Sequence, residues 1–193
     1  MPISYKGTKV GNDVPVTVFD LPDEIVDEIN SWVDHCREIK DHPLSDLKSH
    51  ENFGYLYDGD GKKHNSYQCS IPRDLLENSF TFPLIIRSCA DTFGGYHRSY
   101  GLLKWEGHFD GYDIWMNFAY QGDDNPAHSH RGDYSGIIYV KNDGHPTVFP
   151  QFRYEHVGKN GTMILFPSCL LHQVNEKMTT SERITIAFNV YKE

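Results

Sequence analysis

The segment Arg183-Ile184-Thr185-Ile186-Ala187-Phe188-Asn189-Val190 alternates along its length. In an extended strand successive side chains point to opposite faces, so Arg183, Thr185, Ala187 and Asn189 share one face and Ile184, Ile186 and Phe188 the other. The aliphatic and aromatic face belongs in a core. The other face either meets solvent or lines a polar pocket. Residues 113–120, 135–140, 147–153 and 162–166 read the same way: short, rich in β-branched and aromatic residues, and bounded by Gly, Asn, Asp or Pro turns. They predict an antiparallel β core.

Upstream the period changes. Residues 14–19 read as a strand, after which Pro22, Asp23 and Glu24 suit a helix start, and Ile25, Ile29, Trp32, Val33 and Cys36 recur at helical spacing. This predicts an amphipathic helix of about five turns. Residues 82–93 predict a second helix that stops at Gly94-Gly95. Residues 41–79 are polar, with a turn at Asp58-Gly59-Asp60-Gly61, and read as a segment packed loosely over one end. Helices first and strands later argue a mainly β sandwich or barrel with supporting helices on one sheet, not βαβ units.

The length of 193 residues suits one domain. Residues 1–112 are expected to be helical or irregular support, and residues 113–193 the core strands that carry the site. A net charge of -9 and a pI near 5.6 oppose binding to duplex nucleic acid, where a basic surface releases counterions. No apolar run approaches the roughly 18 residues of a membrane span, and the N-terminus has no signal-peptide core. Cys36, Cys69, Cys89 and Cys169 are widely spaced and read as reduced thiols of a cytoplasmic protein. The edges of a small sheet leave room for a homodimer.

The chemistry concentrates in Trp115 to His130. If residues 128–130 are extended, His128 and His130 point to the same side and reach one metal ion. In a chain with eleven histidines such a pair is a weak signal alone. His172, after the strand-like stretch ending Phe166-Pro167-Ser168, offers a third imidazole from a neighbouring strand. Three nitrogens on one side of a metal leave open positions for substrate and oxygen. Phe118, Phe149, Phe152 and Phe166 are candidate apolar walls around it.

Taken together, Asn117, His128-x-His130, Ser135-Gly136-Ile137-Ile138-Tyr139, residues 161–168 ending Phe166-Pro167-Ser168, His172-x-Val174 and Arg183-x-Thr185 resemble the 2-oxoglutarate and iron(II)-dependent oxygenase superfamily. The likeness is to its bacterial and phage members with an H-x-H, S-G-x-x-Y, F-P-S-x-x-x-H and R-x-S/T order, and it covers about residues 115–190. The resemblance implies a double-stranded β-helix, that is, a cupin-like jelly roll. It implies Fe(II) held by His128, His130 and His172 as the catalytic centre, with 2-oxoglutarate and O2 as cosubstrates. Arg183 would meet the far carboxylate of 2-oxoglutarate, because a planar guanidinium gives a carboxylate two parallel hydrogen bonds. Thr185, Asn117 and Tyr139 would complete that pocket.

The implied activity is a dioxygenase, a hydroxylase in particular, that couples decarboxylation of 2-oxoglutarate to succinate with oxidation of a small molecule or protein side chain. One position departs from the superfamily: most members place Asp or Glu where His130 stands. Two assignments follow, His130 as ligand or Asp133 as ligand with His130 behind it. A cupin-like module that binds a metal or small acid without turnover, and a zinc-dependent hydrolase, are the alternative functions. Arg183-x-Thr185 speaks against the hydrolase, which has no need of a buried carboxylate clamp.

Overall fold

Alternation in the C-terminal strands sorts the chain into two cores. The computed structural model describes residues 7–11, 13–40, 53–57, 63–94, 100–102 and 113–192. The N-terminal part contains β1 (Thr8–Lys9), β2 (Thr17–Asp20), α1 (Asp23–Lys40), β3 (Phe53–Tyr57), β4 (Lys63–Ser70), α2 (Arg73–Glu77), α3 (Thr81–Phe93) and β5 (Tyr100–Leu102). The C-terminal part contains β6 (Ile114–Ala119), β7 (Asn125–His128), β8 (Tyr134–Lys141), β9 (Thr147–Phe149), β10 (Tyr154–His156), β11 (Thr162–Pro167), β12 (His172–Val174) and β13 (Arg183–Lys192).

Among the described residues the strands form two sheets. The major one has nine strands, ordered β1-β2-β11-β8-β13-β6-β4-β3 with β5 on β13, and the minor one is β10-β9-β12-β7. Every pairing in both is antiparallel. The outer face of the major sheet, with Met116, Phe118, Ile138, Met163, Ile184, Ile186 and Phe188, packs on Ile25, Ile29 and Trp32 of α1 and Leu84 and Ile85 of α3. Its inner face, with Ile137, Tyr139, Ile164 and Phe166, packs on Phe149 of the minor sheet. Gly136 faces outward beneath Phe188, where a Cβ would stand 2.1 Å from the ring; any side chain there would push β13 off β8.

Local chemistry explains the helix ends. α1 begins after Pro22 with Asp23 and Glu24 in its first turn. α3 stops at Gly94, whose φ of 69° is costly for a residue with a Cβ and whose N–H returns to the Ala90 carbonyl. The Glu28 carboxylate of α1 accepts the free N–H groups of Phe80 and Thr81 at the start of α3.

Three expectations need correction. Residues 41–79 are not merely a loose cover, because β4 hydrogen-bonds to β6 inside the major sheet and extends its inner face. Their alternation was hidden by polar residues on the face that continues the inner wall of the sheet. The turn expected at Asp58–Gly61 lies outside the described residues. The strand expected over residues 147–153 ends at Phe149, where Pro150 starts a 3-10 turn, since proline has no N–H to continue the ladder. Phe118 belongs to the outer core, and Phe152 is exposed on the surface; Phe149 and Phe166 alone of the four aromatic candidates line the inner space.

Candidate metal and cosubstrate site

β12 runs antiparallel beside β7 with His172 directly opposite His128. Pro126 is tolerated in β7 because β7 is an edge strand of the minor sheet. The strand ends at His128, so His130 is not carried by the extension of β7 that the sequence suggests. It is held instead by its backbone N–H, which donates to the Ser168 carbonyl at 2.9 Å. The three imidazoles still converge: their candidate ligand nitrogens lie within 4.8 Å of one another. Phe166 and Phe149 flank His172, with ring centroids 4.9 and 6.2 Å from it.

Tautomers favour ligation. His128 Nδ1 donates to the Pro126 carbonyl at 2.7 Å and His172 Nδ1 to the Leu170 carbonyl at 2.9 Å. A carbonyl only accepts, so each Nδ1 carries a proton, which leaves Nε2 as the nitrogen that can ligate a metal. Burial, and then the neighbouring His172 and His128, push His130 down to about 3. Burial brings His172 down to about 4, against the raising effect of its bond to Leu170. At neutral pH both are uncharged bases fit to bind a metal. Asp133 is not in the cluster. Its carboxylate accepts the Lys192 N–H at 2.8 Å, its N–H donates to Val190 and its carbonyl accepts from Ser168.

A second group lies deeper on the inner face. Arg183 is 4% exposed, and no carboxylate among the described residues comes within ion-pairing distance of it. One of its terminal nitrogens donates to Thr147 Oγ1 at 3.3 Å, while its Nε has no partner. Burial lowers its pKa from the usual guanidinium value, with Tyr139 and Asp143 opposing. The guanidinium lies 5.7 Å from the centre of the Tyr139 ring, and the Tyr139 hydroxyl meets Thr147 Oγ1 at 2.8 Å. Asn117 donates from Nδ2 to Thr185 Oγ1 at 3.4 Å and accepts the Trp115 indole N–H at 3.2 Å. Tyr139, Thr185 and Asn117 are direct neighbours across β8, β13 and β6.

The arrangement offers two kinds of binding group. Three converged imidazoles can hold a metal, and the buried guanidinium, with no carboxylate partner among the described residues, can take an anion. The matching comparison is a family model described as "Putative 2OG-Fe(II) oxygenase", which aligns with residues 144–189. That segment contains Thr147, His172, Arg183 and Thr185. Over that segment the chain is similar to this oxygenase family.

Solved structures are similar in fold. An oxidoreductase of the 2OG-Fe(II) oxygenase family from Burkholderia pseudomallei is 16% identical, with 93% of this chain and 86% of that chain covered and a TM-score of 0.61. The viral collagen prolyl hydroxylase of Paramecium bursaria chlorella virus 1, solved with 2OG, is 15% identical over 94% of this chain and 98% of that one, TM-score 0.61. HygX from Streptomyces hygroscopicus, solved with nickel and 2-oxoglutarate bound, is 10% identical over 92% and 83%, TM-score 0.56. No curated protein matches the chain.

Sequence reasoning overlooked Thr147, which joins Tyr139 to Arg183; its signal was only a threonine opening a short strand. It also left unexplained the serines of the quoted motifs. Ser135 Oγ donates to Asn189 Oδ1 at 2.6 Å, so the contact of 2.8 Å between Ser135 and Ser168 is a donation from Ser168. Asn189 Nδ2 then donates to the Asp113 carboxylate at 2.7 Å. This buried relay anchors the corner from which Ser168 grips His130. Gly158, whose Cβ would stand 2.2 Å from the Tyr139 ring, seats that ring over Arg183.

Proposed function

We propose that the chain is a 2-oxoglutarate-dependent dioxygenase in which His128, His130 and His172 hold iron(II) and Arg183 holds the far carboxylate of 2-oxoglutarate. The observation that carries the reading is the pairing of two features between the same two sheets: converged imidazoles, two of them with Nδ1 bonded to a backbone carbonyl, and a buried guanidinium with no carboxylate partner among the described residues. The residues present fit both groups. Bound there, iron and 2-oxoglutarate supply oxygen activation coupled to decarboxylation to succinate, with oxidation of a second substrate.

The chain's own residues do the rest. Arg183 and Thr147 bind one end of the cosubstrate, Thr185 and Asn117 line its side, and the Tyr139 hydroxyl orients Thr147. Phe149 and Phe166 wall His172 from water. Replacing the usual carboxylate ligand by His130 leaves the metal its full charge, which strengthens its attraction for an anionic chelator. The oxidised substrate is a small molecule or a protein side chain. No helix among the described residues is long and apolar enough to cross a membrane. Four unpaired cysteines are consistent with a reducing cytoplasmic compartment, and the chain is free to act as a homodimer.

The test is anaerobic reconstitution with iron(II) and 2-oxoglutarate, followed by exposure to air and measurement of succinate. Succinate above the iron-free control, and none from His172→Ala, is the expected result. A protein that binds metal and 2-oxoglutarate but releases no succinate with any substrate would instead be a binding module.

A further inference from the structure

Strand registers arrange the inner face of the major sheet in rows. One row reads Tyr139, Thr185, Asn117, Gln68 across β8, β13, β6 and β4; the next reads Ile137, Ala187, Trp115, Ser70. Directly paired residues in antiparallel strands share a face, so Gln68 and Ser70 continue the wall that begins at Arg183. β4 also packs against β7, the strand that ends in His128. The wall therefore reaches the strand of His128 at β4, two strands from the β13 that carries Arg183.

Its residues divide by what their polar groups are already doing. Asn117 has spent both ends of its amide, one on Thr185 and the other on Trp115, and it forms the boundary of the cosubstrate pocket. Gln68, one strand further, is half-buried and its side-chain amide makes no hydrogen bond among the described residues. Trp115 is half-buried with its ring 5.5 Å from that of His130 and tilted by 57°. Ser66, Gln68, Ser70, Trp115 and Ala119 include no charged side chain.

We propose that Gln68, Ser70 and Trp115 form the subsite for the oxidised substrate, and that it takes an uncharged group offering both a hydrogen-bond donor and an acceptor, an amide or hydroxyl, on an aliphatic skeleton. The proposal rests on the oxygenase reading of the imidazoles and Arg183. A carboxamide matches such a group in both directions, and the indole face covers its carbon skeleton. An ionised group entering here would lose hydration against a wall that returns no counter-charge. A site built to hydrogen-bond also rejects analogues that lack the bond.

The test uses size-matched probes on the full chain loaded with manganese(II) and 2-oxoglutarate: propionamide, propionate and propylammonium, each followed by the relaxation the metal induces in its protons. Propionamide should be relaxed most. Gln68→Glu and Ser70→Asp should each cut that effect at least fivefold, Gln68→Asn should keep part of it, and 2-oxoglutarate affinity should stay within twofold of wild type in all three. Relaxation of propionate or propylammonium as strong as that of propionamide, or an unchanged propionamide effect in Gln68→Glu, overturns the subsite. Failure of the wild-type chain to bind 2-oxoglutarate in the same samples overturns the oxygenase reading instead, so the two failures are distinguishable.

Discussion

The N–H of His130 donates to the carbonyl of Ser168 at 2.9 Å, and this bond fixes the one imidazole of the cluster that no strand carries. Ser168 also donates its own N–H to the Asp133 carbonyl, so it grips the loop on both sides of the β7–β8 connection. Its hydroxyl begins the relay through Ser135 and Asn189 to Asp113, every proton donated in the same direction.

Removing the first member should therefore loosen His130 as well as the fold. Ser168→Ala leaves the buried Ser135 hydroxyl short of a partner and is expected to cost about 1–3 kcal/mol in urea unfolding. Cobalt(II) bound to the variant should show a changed visible spectrum and weaker affinity, and Ser168→Thr should restore both in part. A spectrum identical to wild type would mean that the relay supports the fold alone.

Arg183 and His172 should separate under mutation. Arg183→Met removes a buried charge that has no anion, so the ligand-free protein is expected to be as stable as wild type or more stable, by about 1–4 kcal/mol where repacking is good. Stabilisation by added 2-oxoglutarate should vanish, while metal affinity is kept. His172→Ala should weaken both metal and 2-oxoglutarate. Calorimetric titration checks each; equal metal affinity in His172→Ala and wild type would remove that histidine from the metal site.

The elements legible in the sequence are those whose two faces differ in polarity. β13 shows its alternation because, from Arg183 to Val190, its outer face is wholly apolar and its inner face is Arg, Thr, Ala and Asn. α1 shows its apolar stripe for the same reason. β4 was illegible because polar Ser66, Gln68 and Ser70 flank Tyr67 and Cys69, the only apolar core residues of the strand among those whose side chains are described, too few to signal a strand. β7 and β12 are shorter than any periodicity can register, and they are the strands that bring His128 and His172 together. Spacing identified the histidines as a group, but only tertiary structure relates His130 to Ser168, or Thr147 to Arg183.

Glu182 predicts an acid-sensitive link between helix and sheet. Its carboxylate accepts both terminal nitrogens of Arg37 on α1, at 3.2 and 3.0 Å, and the Tyr120 hydroxyl at 2.8 Å. Burial alone would raise its pKa; the bonds from Arg37 and Tyr120 outweigh it and hold the carboxyl below its usual range. A folded-state value below the unfolded one means that this stabilisation is complete above the unfolded pKa of about 4.3. It is lost as pH falls through the folded value. Glu182→Gln should lower stability at pH 7 and show a smaller loss between pH 5 and 3 than wild type, measured by urea midpoints across that range.

Lys177 has 0% exposure and is the sharpest test of how the loops around the site are held. Its ammonium donates to Asp143 Oδ2 at 3.0 Å and to the Thr179 carbonyl at 3.1 Å, and the hydroxyls of Thr179 and Ser181 close around the same carboxylate. The cluster ties the segment between β12 and β13 to the turn after β8. Asp143→Asn leaves an ammonium buried without its counter-charge and should cost about 3–5 kcal/mol. Lys177→Met should cost less, because the Asp143 side chain is 20% exposed and water can solvate it. The double variant should then be more stable than Asp143→Asn alone, since it no longer buries an unpaired charge. Urea unfolding of the four proteins in this cycle measures the coupling directly, and additive losses would show that Lys177 and Asp143 act independently.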